Sequence, residues 1–436
     1  MASMDDGGAT VSGSSPAAVH LPATSVAASA AASQPGALAL ADVLRLAAAH
    51  NENYAITDQQ LVQAGLLRDR AWAALLPTLA VAGSYTHFDK QVEANNRIIQ
   101  RQDTLAGNLS AQWTLFRGPA VAGVMRAYDA TEAAVQRVTW TRRNLAFEVA
   151  RSYFAALATD NLVRASERAL ITAEQDVAAA RARRAAGNAL AIDETRAQLE
   201  LVTAQGRLTE ARNTRDDAAE YLAFLTGQPQ PLQLASTAVA AAEEGPEVVE
   251  VAALRQRRPD VQAAEFDLAA AEDAVRGAWL DYLPTAALTG NALLSQNTGW
   301  SGEPFSWNAV VALQWQLLDG GLRRATRLDS DASLIRARQE LQLIERTVQR
   351  EVKKAQRDVV TAAATLDTSR ERLRLARQNQ QATASRYQAG LATSLELNDT
   401  ADALIQAEVA VIASELDLTL ARLARRHALG LDPLGR

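Results

Sequence analysis

The residue types that most often carry out chemistry in proteins are few and scattered in this sequence. Its histidines, at positions 20, 50, 87 and 427, form neither an HExxH motif nor a pair at helical metal-ligand spacing. The chain has no cysteine, which excludes disulfides, thiolate metal ligands and cysteine nucleophiles. It also lacks the GxxxxGK[ST], strand-linked GxGxxG and GxSxG motifs. We therefore expect no enzyme, no metal site and no cofactor.

The composition predicts long helices. The 436 residues include only 12 prolines and 5% aromatic residues, and alanine dominates. The 44 basic and 50 acidic side chains give a formal charge of −6 with no basic block, which disfavours nucleic-acid binding. No run of 18 or more strongly apolar residues is present, so the sequence predicts no membrane-spanning helix. Residues 1–37 are rich in Ala, Ser, Gly and Pro without a basic start, which indicates a disordered leader or linker instead of a typical signal peptide.

The sequence contains an internal duplication. Four landmarks recur in the same order at offsets of 202 to 207 residues. They are Trp72 with Leu76-Pro77 and Trp279 with Leu283-Pro284, residues 113–118 and 315–320, Arg184 with Gly187 and Tyr387 with Gly390, and residues 225–227 and 428–430. We therefore divide the chain into a first structural repeat at 38–228, a linker at 229–246 and a second repeat at 247–436.

Proline positions set the lengths of the helices. No proline occurs between Pro119 and Pro229 or between Pro304 and Pro433. Long helices can therefore run over about 121–186 and 322–389, each roughly 100 Å long, and heptad spacing of apolar residues indicates a coiled coil. Gly187 and Gly390 fit helix C-caps, followed by return helices over about 191–225 and 394–429. Opening helices are expected over about 40–75 and 250–282.

Between the opening and long helices the pattern changes to strict alternation. Apolar residues alternate from Leu79 to Tyr85, from Leu105 to Leu115 and from Trp307 to Leu317, which predicts strands of about 9 to 12 residues. That length crosses a membrane in a tilted barrel. Trp113, Trp307 and Trp315 lie near strand ends, where membrane-interface aromatics are typical. A soluble hairpin would give the same alternation.

Four strands per chain cannot close into a membrane barrel alone, because the smallest such barrels have about eight strands. Open edges in lipid leave backbone groups unpaired at several kcal/mol each. Closure therefore requires several copies of the chain, and three would supply twelve strands. The attached helices would form a second tube, making a conduit from an outer membrane across the periplasm.

These features resemble the TolC family of outer-membrane channels from about residue 38 onward. The marks are Leu75-Leu76-Pro77 and Tyr282-Leu283-Pro284, residues 115–119 and 317–321, Arg258-Pro259-Asp260, and Tyr387 to Gly390 with Asp399. The resemblance implies a mainly helical fold with a membrane β-barrel portion, in which a homotrimer forms a 12-stranded barrel and a coiled-coil helical barrel. It also implies the outer membrane of a Gram-negative bacterium, contact with its lipid, a periplasmic adaptor protein, and an inner-membrane transporter of the RND, ABC or MFS type.

The resemblance also implies a periplasmic gate. In this family the turns marked here by Gly187 and Gly390 form the periplasmic tip, and the residues implied to hold it shut are Asp193, Tyr387, Glu396 and Asp399. Some members carry an arginine where this chain has Ala392, so Arg386 is an alternative partner. Acidic residues at helix N-termini also favour the helix dipole, which is a purely structural alternative for Asp193 and Glu396. Gly118, Gly320 and Gly321 are expected to serve the tight strand-to-helix corners.

The function predicted from these observations is an exit duct of a tripartite export system that passes small molecules such as drugs or toxic solutes. A duct for type I protein secretion is an alternative within the same fold. A soluble coiled-coil scaffold is a third interpretation, in which the β-hairpins are accessory elements that do not enter a membrane.

Overall fold

The computed structural model describes residues 37–94, 97–187, 189–235, 251–296 and 303–434. The predicted leader, apart from its last residue, lies outside the described residues, and so does the predicted linker from residue 236 onward.

The two halves of the chain repeat one order of elements. The first half contains α1 (Leu40–His50), α2 (Glu52–Ala73), β1 (Thr78–His87), β2 (Val92–Ala94), β3 (Arg97–Gln100), β4 (Asp103–Phe116), α3 (Gly118–Ala185) and α4 (Ala191–Leu225). The second contains α5 (Val251–Arg257), α6 (Pro259–Leu280), β5 (Thr285–Ser295), β6 (Phe305–Gln314), α7 (Leu322–Gln388) and α8 (Ser394–Ala428). With 68 and 67 residues, α3 and α7 are each about 100 Å long. Across the described ranges, no helix combines the length and apolar character needed to cross a membrane.

Each opening helix is broken, so the prediction of continuous helices over 40–75 and 250–282 was wrong. Asn51 has extended backbone angles, caps α2 by accepting from the Asn53 N–H at 2.7 Å, and donates to the Leu225 carbonyl at 2.7 Å. In the second half Arg258 is extended because Pro259 follows it, and the proline ring disfavours helical geometry in the preceding residue.

The four main strands form one antiparallel sheet in the order β1-β4-β5-β6. Pairing of β4 with β5 joins the two repeats into a single sheet, while β1 and β6 are its edges within one chain. A small hairpin, β2 with β3, continues the first pair of strands and was not predicted from the sequence.

The strand register separates the sheet into one mainly apolar face, with the His87–Asp103 pair at its end away from the helices, and one mainly polar face. Residues directly opposite each other share a face. The apolar face carries Leu79, Val81, Gly83, Tyr85, Leu105, Gly107, Leu109, Ala111, Trp113, Leu288, Gly290, Ala292, Leu294, Phe305, Trp307, Ala309, Val311 and Leu313. The other face carries small and polar residues such as Asn108, Asn291 and Asn308, with Leu293 and Val310 as its large apolar members.

Two details of the predicted alternation were wrong. The pairing of β4 with β5 shifts between Thr114 and Phe116, so Phe116, instead of Leu115, lies opposite Ala286. Such a bulge inserts one extra residue and moves its successors to the other face. β6 ends at Gln314, so Trp315 and Leu317 lie beyond the strand in which they were predicted.

The largest core lies midway along the long helices, where α1, α3, α4 and α8 meet around the fully buried Tyr153 and Val149. The return helices α4 and α8 end next to this core, and each is followed closely by a glycine with positive φ. These glycines are Gly227 and Gly430, with φ of 64° and 71°. A Cβ on Gly227 would lie 2.6 Å from the His50 carbonyl oxygen, and a Cβ on Gly430 would lie 2.7 Å from that of Arg257. Both repeats therefore need glycine here, for its conformation and for its size.

Gly430→Ala is expected to lower the free energy of unfolding by about 2 kcal/mol, because alanine is strained at positive φ and its methyl group would meet a backbone oxygen. Gly206→Ala is the matched control. Gly206 lies inside α4 with open space around it, so alanine there should raise the free energy of unfolding by about 0.5–1 kcal/mol. Urea unfolding followed by helical circular dichroism in detergent measures both, and equal effects of the same sign would contradict the prediction.

Candidate functional site at the helical tip

The strand-to-helix corners place the sheet on the long helices. A Cβ on Gly118 would lie 2.2 Å from the Leu280 carbonyl oxygen, whereas Gly320 and Gly321 have φ of 66° and 94°. In the second corner Asp319 accepts hydrogen bonds from the Arg323 backbone N–H at 3.0 Å and its Nε at 2.7 Å. These two bonds, together with the Gly321 N–H, lower the pKa of Asp319 to about 2.

The predicted interface tryptophans lie at two levels of the sheet. Trp113, near the helix end of β4, donates from Nε1 to the Leu75 carbonyl at 3.1 Å. Trp315, one residue past β6, donates in the same way to the Tyr282 carbonyl at 3.1 Å. Trp307 lies near the opposite end of β6 and is 72% exposed. The indole rings therefore lie beside the apolar face, with the N–H groups of Trp113 and Trp315 satisfied by backbone.

At the other end of the molecule, the first tip turn joins α3 to α4. Gly187 has φ of 78°, and the Asp193 carboxylate accepts from the Leu190 N–H at 3.1 Å, as in a capping box. Glu194 accepts from Arg184 at 2.7 Å and from Arg181 at 3.2 Å, and these bonds lower its pKa. The C-terminal end of α3 is thus tied to the first turn of α4.

The second tip turn, between α7 and α8, is built in a similar way. Gly390 has φ of 74°, and Glu396 forms a reciprocal capping box with Thr393, whose N–H it accepts at 2.8 Å. This bond lowers the pKa of Glu396. Arg386 donates to the Leu391 carbonyl at 3.4 Å and stays within its own turn. Asp399 is exposed, and its carboxylate has no hydrogen-bond partner among the described residues.

Three side-chain contacts join the turns of the two repeats. Ser394 donates its hydroxyl to the Asp193 carboxylate, which is the main cause of a lowered pKa for Asp193. Arg196 donates to the same Ser394 oxygen at 3.2 Å. The Arg183 guanidinium lies 4.4 Å from the centroid of the Tyr387 ring, within cation–π range. Of the four predicted gate residues, the structure thus brings Asp193 and Tyr387 into contacts between repeats, while Glu396 contacts its own cap.

Sequence reasoning missed Arg183, Arg196 and Ser394. One signal was available for Arg183, because the repeat offset of 203 residues places it opposite Arg386, the arginine already considered. A further link between the repeats lies farther from the tip, where Arg207 of α4 contacts Asp402 of α8 at 3.0 Å. Arg207 also contacts Glu200 of its own helix at 3.2 Å.

A buried arginine fixes the helices midway along the molecule. The Arg258 side chain is 3% exposed and makes two bonds to Asp260, at 3.0 and 2.6 Å, and one to Glu351 at 2.7 Å. It also donates to the Ala428 carbonyl at 3.2 Å and lies 4.7 Å from the centroid of the Trp140 ring. These contacts join α3, α6, α7 and α8 at one point.

The tip is held together by polar side-chain contacts between helices. Within the described residues, no group of three or more His, Asp or Glu side chains could hold a metal ion. What the tip offers instead is a small set of polar contacts between two helical hairpins, at the end of the chain opposite the sheet.

Comparisons with known proteins identify the family. Residues 43–228 and 251–431 match the family described as "Outer membrane efflux protein". The outer membrane protein OprJ of Pseudomonas aeruginosa is 29% identical over 71% of this chain, and the match spans only 61% of the length of OprJ. The pyoverdine export outer membrane protein OpmQ of the same species is 30% identical over 75% of this chain and 70% of its own length.

Solved structures have the same fold. The outer membrane protein VceC of Vibrio cholerae superposes with a TM-score of 0.76 at 19% identity, covering 90% of this chain and 96% of VceC. The MtrE outer membrane channel of Neisseria gonorrhoeae, solved in an open state, superposes with a TM-score of 0.74 at 19% identity. The match covers 90% of this chain and 89% of MtrE. These comparisons confirm the resemblance and the mixed fold of long helices and strands predicted from the sequence. The chain therefore belongs to the outer membrane efflux protein family, and its location is the outer membrane.

Proposed function

We propose that three copies of this chain form a passive exit duct, which carries small molecules such as drugs or toxic solutes across the outer membrane. The observation that carries the proposal is the sheet. One face is apolar except for His87 and Asp103 at the end away from the helices, and the other is mainly polar, as a wall between lipid and water requires.

The unpaired edges of the sheet are evidence for the proposed trimer. Within one chain, the outer edges of β1 and β6 have no partner strand among the described residues. Pairing β1 of each copy with β6 of the next satisfies both edges, and three copies give a closed barrel of twelve strands with a polar lumen. The long helices then extend the passage by about 100 Å into the periplasm.

A passive duct needs a source of substrate and energy. The sequence contains no nucleotide-binding loop, so the driving force has to come from outside the chain. We therefore include a periplasmic adaptor and an inner-membrane transporter, of the RND, ABC or MFS type, as partners at the helical tip. OpmQ is a pyoverdine export outer membrane protein, and this relative supports a small molecule as cargo.

Negative-stain imaging with light scattering of the detergent-extracted chain tests the duct. The expected particle is a trimeric tube with a narrow helical barrel. An elongated monomer or dimer that stays soluble without detergent would instead support the scaffold interpretation and overturn the duct.

The proposed gate is the contact between the two tip turns, marked by Gly187 and Gly390. Asp193→Ala and Tyr387→Ala each remove a contact between repeats, so the double variant is expected to raise single-channel conductance in planar bilayers several-fold. Asp399→Ala and Glu396→Ala test the remaining two proposed gate residues in the same assay.

Glu210→Ala is the control for these variants, since Glu210 is an exposed acid of α4 far from the tip. It should leave conductance unchanged. Wild-type conductance in all of the tip variants would place the gate elsewhere in the passage.

A further inference from the structure

The sheet end of the second repeat carries a cluster of aromatic and arginine side chains, which we call the α6–α7 collar. It consists of Trp279, Tyr282, Trp315, Arg323, Arg324 and Arg327. The Arg327 guanidinium lies 4.7 Å from the centroid of the Trp279 ring, and that of Arg323 lies 5.0 Å from the Tyr282 ring. Trp315 joins the cluster through its hydrogen bond to the Tyr282 carbonyl.

The collar has cationic groups that lack acceptors. Arg327 Nε is buried and has no hydrogen-bond partner in the described part of the chain. Arg324 is exposed beside it, and its side chain contacts no acid in the same ranges. Arg323 differs, because its Nε is satisfied by Asp319. Neither the Arg324 nor the Arg327 guanidinium is paired with an acid of the described residues, and that of Arg327 is held in place by the Trp279 ring.

The first repeat has a related arrangement at the same end. The Arg68 guanidinium lies 4.8 Å from the centroid of the Tyr128 ring, and Trp72 Nε1 donates to the Tyr128 hydroxyl at 3.5 Å. Arg68 Nε is also buried without a partner among the described residues, although its Nη2 contacts Glu132 at 2.5 Å. The pairing of an arginine with an aromatic ring next to the sheet thus occurs in both halves.

The collar continues directly into the apolar face of the sheet. Trp315 is 61% exposed, and Leu318 and Leu322, between β6 and the collar arginines, are 87% and 68% exposed. A surface that changes from exposed leucine and tryptophan to arginine over a few residues matches the change from acyl chains to headgroups at a bilayer surface.

We propose that the α6–α7 collar binds the phosphate groups of phospholipids in the bilayer leaflet nearest the helices. The planar guanidinium of arginine offers paired N–H donors that fit phosphate oxygens, and the aromatic rings orient the arginines beforehand. The proposal rests on the proposed function in one respect, since it requires the sheet to lie in a membrane.

Native mass spectrometry of the detergent-extracted full chain, titrated with phosphatidylglycerol, tests the collar. Arg324→Gln with Arg327→Gln is expected to weaken lipid binding about fivefold for each arginine, or about 25-fold for both. The control is Arg336→Gln with Arg350→Gln on the same helix, about 18 and 39 Å farther from the sheet than Arg324. The control should bind like wild type.

Diacylglycerol, which has the acyl chains without phosphate, should bind equally weakly to all variants, and excess inorganic phosphate should not displace bound lipid. Equal phosphatidylglycerol binding by the collar variant and the control would overturn the proposal, as would full displacement by inorganic phosphate. Arg327→Lys keeps the charge but not the paired N–H donors, so its binding should lie between those of wild type and Arg327→Gln, and it guards against loss of folding.

The oligomeric state of the same samples separates the two proposals. Lipid binding that depends on Arg324 and Arg327 in a particle that is not a trimer would refute the duct and support the collar. A trimer whose lipid binding does not depend on these arginines would support the duct and refute the collar proposal.

Discussion

Val311→Arg is expected to remove the chain from the outer-membrane fraction, whereas Val310→Arg is expected to leave it there. The two valines are adjacent in β6 and, within one chain, are 71% and 47% exposed. Val311 shares the apolar face with Leu288 and Trp113, while Val310 lies in a row with Thr289 and Gln112. An arginine facing lipid near the middle of the bilayer costs about 2–4 kcal/mol, and one facing a water-filled lumen costs little.

Membrane fractionation and heat-modified gel mobility measure this difference, because both substitutions introduce the same side chain into the same strand. Val310→Arg should also shift the ion selectivity of single channels toward anions, since it adds a positive charge to the lumen in every copy. Equal loss of both variants from the membrane would mean that the sheet does not separate lipid from water.

Arg258→Ala is expected to lower the free energy of unfolding by about 3–5 kcal/mol. The substitution leaves the carboxylates of Asp260 and Glu351 and the Ala428 carbonyl without their shared donor in a buried place. It also removes the cation that packs on Trp140. Four helices meet at this side chain, so their packing is expected to loosen together.

Arg257→Ala is the control, because Arg257 is the preceding residue and its side chain is exposed. Its effect should stay within about 0.5 kcal/mol. Arg258→Lys should give an intermediate loss, since lysine keeps the charge but cannot make the paired bonds to Asp260. Urea unfolding in detergent at equal protein concentration measures all three, and a loss with Arg258→Ala no larger than that of Arg257→Ala would contradict the prediction.

Much of the architecture could be predicted because its boundaries are local. The prolines and glycines that bound the long helices act on their own backbone, so α3 and α7 end within a residue or two of the predicted positions. The alternation of the strands likewise follows from side chains that point to opposite faces. The break at Asn51 was not predictable in this way, because its side chain bonds to Leu225, which is 174 residues distant.

The contacts at the tip were also not predictable from local sequence patterns. Asp193 and Tyr387 were identified through the resemblance, but their partners Ser394 and Arg183 belong in each case to the other repeat. Which residues meet there depends on how two helical hairpins are offset along their axes, and that offset is set by packing far from the tip. Glu396 illustrates the converse, since its capping box is a local pattern and was open to prediction as a helix N-terminus.

The open edges of β1 and β6 also constrain how the protein is made. A lone chain placed in hydrocarbon would expose two rows of unpaired N–H and C=O groups, at several kcal/mol each. If the proposed trimer forms, insertion into the bilayer and pairing with the other copies are therefore expected to be a single step of biogenesis. Before that step the apolar face of the sheet would be exposed to water, so we expect the newly exported chain to need a chaperone that covers this face.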